Sequence, residues 1–144
     1  MILQVLSPRE ASIFACVCDT VVAPEPALPP VRETDAVAFF DRWLALSPRL
    51  NRSGLRGLLY AAELAPRALG YRRRLRGLAE ADRARVLGSL ERAGQPRLLE
   101  LVRLLKGVSC LSYYGDDAVM GRLGYDADAN VRRGRALRAR EGRP

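Results

Sequence analysis

The chain has 144 residues, 49% of them apolar and 28% charged, enough for one self-supporting core and too apolar for a disordered polymer. Its formal charge is +8 and it contains no histidine, which excludes the usual zinc sites, the Ser-His-Asp triad and the Cys-His pair. Of its 24 basic residues only Lys106 is lysine, so the charge reflects an arginine bias. Much of the excess sits in the tail, at Arg132, Arg133, Arg135, Arg138, Arg140 and Arg143.

The opening MILQVL is followed at once by Ser7, Pro8, Arg9 and Glu10. It lacks the basic n-region and long apolar h-region of a secretory signal, and no run approaches the length needed to span a bilayer. A soluble cytoplasmic protein is therefore expected. Ser7, Pro8 and Glu10 instead spell a capping box with proline at N1. The helix they open should run to about Val22, with Ala11, Phe14, Val17, Cys18 and Val21 on one face and Ile13 and Cys16 broadening it, so that more than one side is buried. Cys16 and Cys18 lie about 200° apart around that helix and cannot share a metal ion from one face. A buried free thiol is the expected state of each of the three cysteines.

Pro24, Pro26, Pro29 and Pro30 make the next stretch an extended crossover. Thr34 should cap a second helix from Asp35 to about Leu46, which holds Phe39, Phe40 and the sole tryptophan, Trp43, at core spacing. A third helix, starting at Asn51 or Ser53, should be kinked or split at Pro66. The cluster YRRRLRG, Tyr71 to Gly77, can be read as a phosphate-binding patch, but a solvated corner between helices is the stronger reading. A fourth helix spans Glu80 to Arg92, with its acids in the first turn and Arg92 in the last, as the macrodipole prefers.

Gln95 and Pro96 open a fifth, whose Leu101, Val102, Leu105, Val108 and Leu111 or Ser112 recur at helical spacing, as in a buried core helix. Gly115 should close it in a left-handed conformation, Asp116 should cap a short sixth helix, and Gly124 should close that. Asp126, Asp128 and Asn130 open like a calcium loop but lack its glycine and distal glutamate. No segment has the alternation of a strand. An all-α bundle of five or six helices is expected over residues 1–128, with a basic, weakly ordered tail over 129–144.

No convergent acid, base or nucleophile emerges, nor any glycine-rich phosphate loop, so catalysis by this chain alone is not expected. Its tyrosines Tyr113, Tyr114 and Tyr125 fall at helix ends. They read either as plugs at the end of the bundle or as anchors for a partner, because tyrosine and arginine dominate interface hot spots.

The motif order carries a family likeness. LSPRE, CDTVVAPEP, DAVAFFDRWL, LAEADRARVLGSL and YYGDDAVMGRLGYD together resemble the small-subunit family of gluconate 2-dehydrogenase, subunit 3. They are also similar to the helical segment preceding the flavin domain in some bacterial long-chain alcohol oxidases of the glucose-methanol-choline superfamily. The likeness covers roughly residues 5–128, and YYG followed by GYD is its most specific part. It implies a non-catalytic accessory subunit that binds a large flavoprotein and supports its maturation or stability, with FAD on the partner and no cofactor of its own. Within that reading Tyr113, Tyr114, Arg122, Tyr125 and Asp126 are the expected partner contacts. The chain departs from family members that bring a twin-arginine export signal, since its first residues hold no Arg-Arg pair. The alternative is a basic helical nucleic-acid-binding protein using the arginine cluster and tail.

Overall fold

The computed structural model describes residues 2–141. Its first helix, α1 (Pro8–Val22), begins as the sequence demands. Ser7 Oγ accepts from the Glu10 amide at 3.3 Å, and Glu10 Oε2 accepts from the Ser7 amide at 2.8 Å. The Glu10 carboxylate is almost fully buried, and it also accepts two hydrogen bonds from Arg56, at 2.8 and 3.2 Å. One side chain thus caps α1 and ties it to the third helix.

Six further α-helices follow among the described residues: α2 (Ala36–Leu46), α3 (Arg49–Ala68), α4 (Glu80–Arg92), α5 (Pro96–Tyr114), α6 (Asp117–Arg122) and α7 (Ala127–Glu141). The all-α class is as expected, with no strand among the described residues. The count is seven rather than five or six. Both the short α6 and the arginine-rich segment form separate helices. Residues 142–144, the end of the tail expected to be weakly ordered, lie outside the described residues.

α1 is the hub, packing against α2, α3, α4 and α5. Ile13, Phe14, Val17 and Cys18 are completely enclosed, so its broad apolar surface is used on several sides. Phe14 stacks on Phe40 of α2 with ring centroids 4.0 Å apart, a contact worth about 0.5–1.5 kcal/mol beyond its buried area. Asp41 of α2 is buried too and gathers the N-terminal segment, accepting from the amides of Gln4, Val5 and Leu6 at 2.6, 3.0 and 2.8 Å.

Several boundaries differ from expectation for local reasons. Helix α2 begins at Ala36, with Thr34 Oγ1 accepting from the Ala36 amide at 3.3 Å. Helix α3 begins at Arg49, directly after Pro48. Its start is fixed by Arg52, whose guanidinium donates to the carbonyls of Leu44, Ala45 and Ser47. A cation there satisfies the exposed carbonyls at the end of α2. Pro66 neither splits nor ends α3, because it lies within its last turn and only Arg67 and Ala68 follow.

Acid should unfold the protein through these buried carboxylates. Burial by itself raises the pKa of Glu10, but the hydrogen bonds from Arg56 and Ser7 outweigh it and hold Glu10 below its ordinary 4.5. At Asp41 burial is likewise outweighed, by the Gln4, Leu6 and Val5 amides, and the carboxyl stays below 3.8. A group whose folded pKa is depressed stabilises above its unfolded pKa and loses that contribution as pH falls through the folded value. The melting temperature should therefore hold level down to about pH 5 and drop below about pH 4. Glu10→Gln should lower it at neutral pH and flatten the acid limb. An unchanged acid limb in both Glu10→Gln and Asp41→Asn would assign the titration elsewhere.

Candidate docking surface

The corner carrying the tyrosines is built from the end of α5, the turn at Gly115, α6 and the turn into α7. Tyr113 is completely buried and donates its hydroxyl to the Pro29 carbonyl at 2.7 Å. It fastens the proline crossover to α5, and burial, with Tyr114 and neighbouring acids adding to it, raises the pKa of its phenol. An enclosed ring cannot touch a partner, so Tyr113 is a core residue. Tyr114 packs edge-on against it, centroids 5.1 Å apart, and remains 42% exposed.

Gly115 does not take the expected left-handed conformation: its φ is −82° and ψ −3°. Glycine is needed there for space, since a Cβ would stand 2.7 Å from the Leu111 carbonyl oxygen. Asp116 caps α6 as expected, accepting from the Ala118 and Val119 amides at 2.9 and 3.2 Å. Its other oxygen accepts from the Asp35 amide at 2.8 Å, a link from α6 to the start of α2 that no local pattern announces. Gly124 closes α6 with φ +70°, as expected.

Arg122 donates to the Ala27 carbonyl at 3.2 Å, pinning α6 to the proline crossover from the outside. Beyond it Leu123 and Tyr125 are each 54% exposed. Asp126 caps α7, accepting from the Ala129 amide at 2.8 Å, which makes the calcium-like stretch a helix start instead of a loop. Tyr114, Arg122, Tyr125 and Asp126 thus all reach the surface. Among the described residues the only ring-to-ring contact of a tyrosine joins Tyr113 and Tyr114.

Apolar groups outside the corner complete the picture. On α5, Leu101, Leu104 and Leu111 are about as exposed as Tyr114 and line up with it at helical spacing, so a stripe runs along the outside of that helix. The helical spacing places Leu101, and Leu111 or Ser112, in the core; Ser112 is buried, whereas Leu101 and Leu111 are exposed. The pattern is ambiguous because apolar residues surround α5 on most sides, and only the position of α1 decides which face is covered.

Part of the arginine cluster is structural, while Arg72 and Arg73 are exposed. Leu75 is fully buried, and Arg76 donates to the buried Glu63 at 3.0 Å and to Ser12 at 3.1 Å. The cysteines are free: Cys18 is buried, its thiol pushed up to about 12 mainly by burial, while Cys16 and Cys110 are only half-buried. Among the described residues no three Cys, Asp or Glu side chains converge as metal ligands. A cleft of about 530 Å³ lies between the start of α2 and the α5–α6 turn and has mixed charge. Ser112 borders it, with a buried hydroxyl that has no hydrogen-bond partner among the described residues.

No family model, curated protein or solved structure matches the chain. The likeness to the subunit family rests on the quoted motifs alone.

Gly115→Ala should lower the unfolding free energy in urea by about 1–3 kcal/mol, because backbone must move to admit the methyl group. Gly121→Ala, where a Cβ meets nothing within 4 Å, should leave stability unchanged or raise it by up to about 1 kcal/mol. Equal effects at the two sites would contradict the close approach at Gly115.

Proposed function

We propose that the chain is a non-catalytic helical subunit that binds a large flavin-dependent oxidoreductase acting on an alcohol, sugar or sterol, and supports its maturation or stability. The FAD belongs to the partner. The observation that carries this reading is the exposed apolar stripe of α5, Leu101, Leu104, Leu111 and Tyr114. It lies on an arginine-rich protein that has enough apolar matter to fill its core elsewhere. Large apolar side chains left contiguous at a surface mark an interaction site. The motif likeness supplies the class of partner.

The mechanism is mass action. A subunit that binds only the folded flavoprotein stabilises it in proportion to the logarithm of its concentration over Kd. Tyr114 and Tyr125 are rigid amphipathic anchors for such a contact, and Arg122 is a neighbouring charged one.

A second reading draws on α7. Its arginines Arg132, Arg133, Arg135, Arg138 and Arg140 are exposed around the helix, and it buries no described side chain, which suits a nucleic-acid phosphate backbone. Affinity for duplex DNA that survives physiological salt and falls steeply above it would favour that partner instead.

Co-expression with a glucose-methanol-choline-type flavoprotein encoded beside this chain should yield a yellow complex. Tyr114→Ala and Tyr125→Ala should each cut its affinity about tenfold or more, with the circular-dichroism melt of the free chain preserved. A colourless eluate, or variants that simply unfold, would overturn the proposal.

A further inference from the structure

α3 and α5 both lean on α1 but make little direct contact with each other, and a trough opens between them. Its middle is a cavity of about 420 Å³ floored by Trp43, Leu50, Leu55, Leu58, Leu101 and Leu104. It adjoins a second apolar hollow through Leu58 and Leu101, and a third through Trp43 and Leu104 that ends at Leu111. The run from Leu98 to Leu111 along α5 is about 20 Å long, the length of a helix of about 13 residues. Leu50 is 84% exposed and Leu104 44%, so the floor is open.

The trough stops at Leu111, one turn before Tyr114 of the tyrosine corner, and three arginines stand at its border. Arg103 lines it, Arg97 stands one turn before Leu101 on the same face of α5, and Arg49 opens α3 beside Leu50. All three are exposed, and none is in an ion pair among the described residues. Glu100 is the one acid lining it.

This border sorts the possible occupants. A second copy pairing α5 with α5 would gather both copies of Arg97 and Arg103 with only the two Glu100 carboxylates to offset them. The chain's own α7 is rich in arginine and has no apolar stripe, with Val131 and Leu137 on different faces. Helical walls offer no unpaired backbone edge for a strand to join. We propose that the trough receives an amphipathic helix of another protein, apolar along one face and acidic along its flanks. The proposal rests on the docking reading above and gives the partner's contacting element its chemistry.

Trp43 is the sole tryptophan and lines two of the three hollows, so its fluorescence reports occupancy directly. The probes are two synthetic 18-residue helical peptides with the same leucine face, one with glutamate flanks and one with lysine flanks. They are titrated into the full-length protein without any flavoprotein. The glutamate peptide should shift Trp43 emission to the blue saturably, and the lysine peptide should bind at least about tenfold more weakly. Leu50→Ser and Leu104→Ser, both at exposed positions that leave the melt intact, should each weaken the glutamate peptide about tenfold. Three results would overturn the assignment: no saturable shift, equal binding of both peptides, or wild-type protein that sediments as a dimer and becomes monomeric in Leu104→Ser. Because flavoprotein is absent, failure here leaves co-purification as a separate outcome.

Discussion

The enclosure of α1 is the constraint from which the rest of the structure follows. A helix that is apolar on several sides can be satisfied only by neighbours on several sides, and α2, α3, α4 and α5 supply them. Its N-terminus is correspondingly short of solvent. The buried Glu10 therefore has to be held by Ser7 and Arg56 together, since an unpaired carboxylate at that depth would cost several kcal/mol. Asp41 and Glu63 repeat the device. Each is buried, and each binds a segment distant in sequence, the N-terminal lead for Asp41 and the turn at Arg76 for Glu63.

The same constraint shapes the surface. Helices that must all touch one central rod cannot also close fully on one another, and the opening between α3 and α5 is where this shows. The outer face of α5 is left with leucines that no helix of this chain covers. At the other end of α5 the proline crossover is tied down by Tyr113 and Arg122, so the tyrosine corner is rigid beneath its exposed rings. A surface that is preformed in this way loses little freedom on binding.

Local chemistry was legible in the sequence where it is local in space. The capping box of α1, the bounds of α4, the Asp116 cap and the left-handed Gly124 all follow from residues within one turn. The proposed core of α1 followed from its breadth. What could not be read was set at long range. Arg52 fixes the start of α3 by reaching carbonyls of the preceding helix. Tyr113 looked like its neighbour Tyr114 until the Pro29 carbonyl separated a core ring from a surface one. Which leucines of α5 lie inside depends on where α1 passes. Gly115 was rightly marked as a helix end for a reason that proved different, steric space instead of φ. Helix α7 forms because alanine, arginine and leucine favour helix and Asp126 caps it, although it buries no described side chain.

Hydrogen exchange of the isolated protein, resolved along the chain, tests most directly whether a rigid body centred on α1 carries an open surface. Amides of α1 facing Phe40 and Tyr113 should exchange slowest, at the rate of global unfolding, while those of α7 should exchange fastest of all the helices by orders of magnitude. Protection in α7 equal to that in α1, or early exchange along α1, would contradict the account.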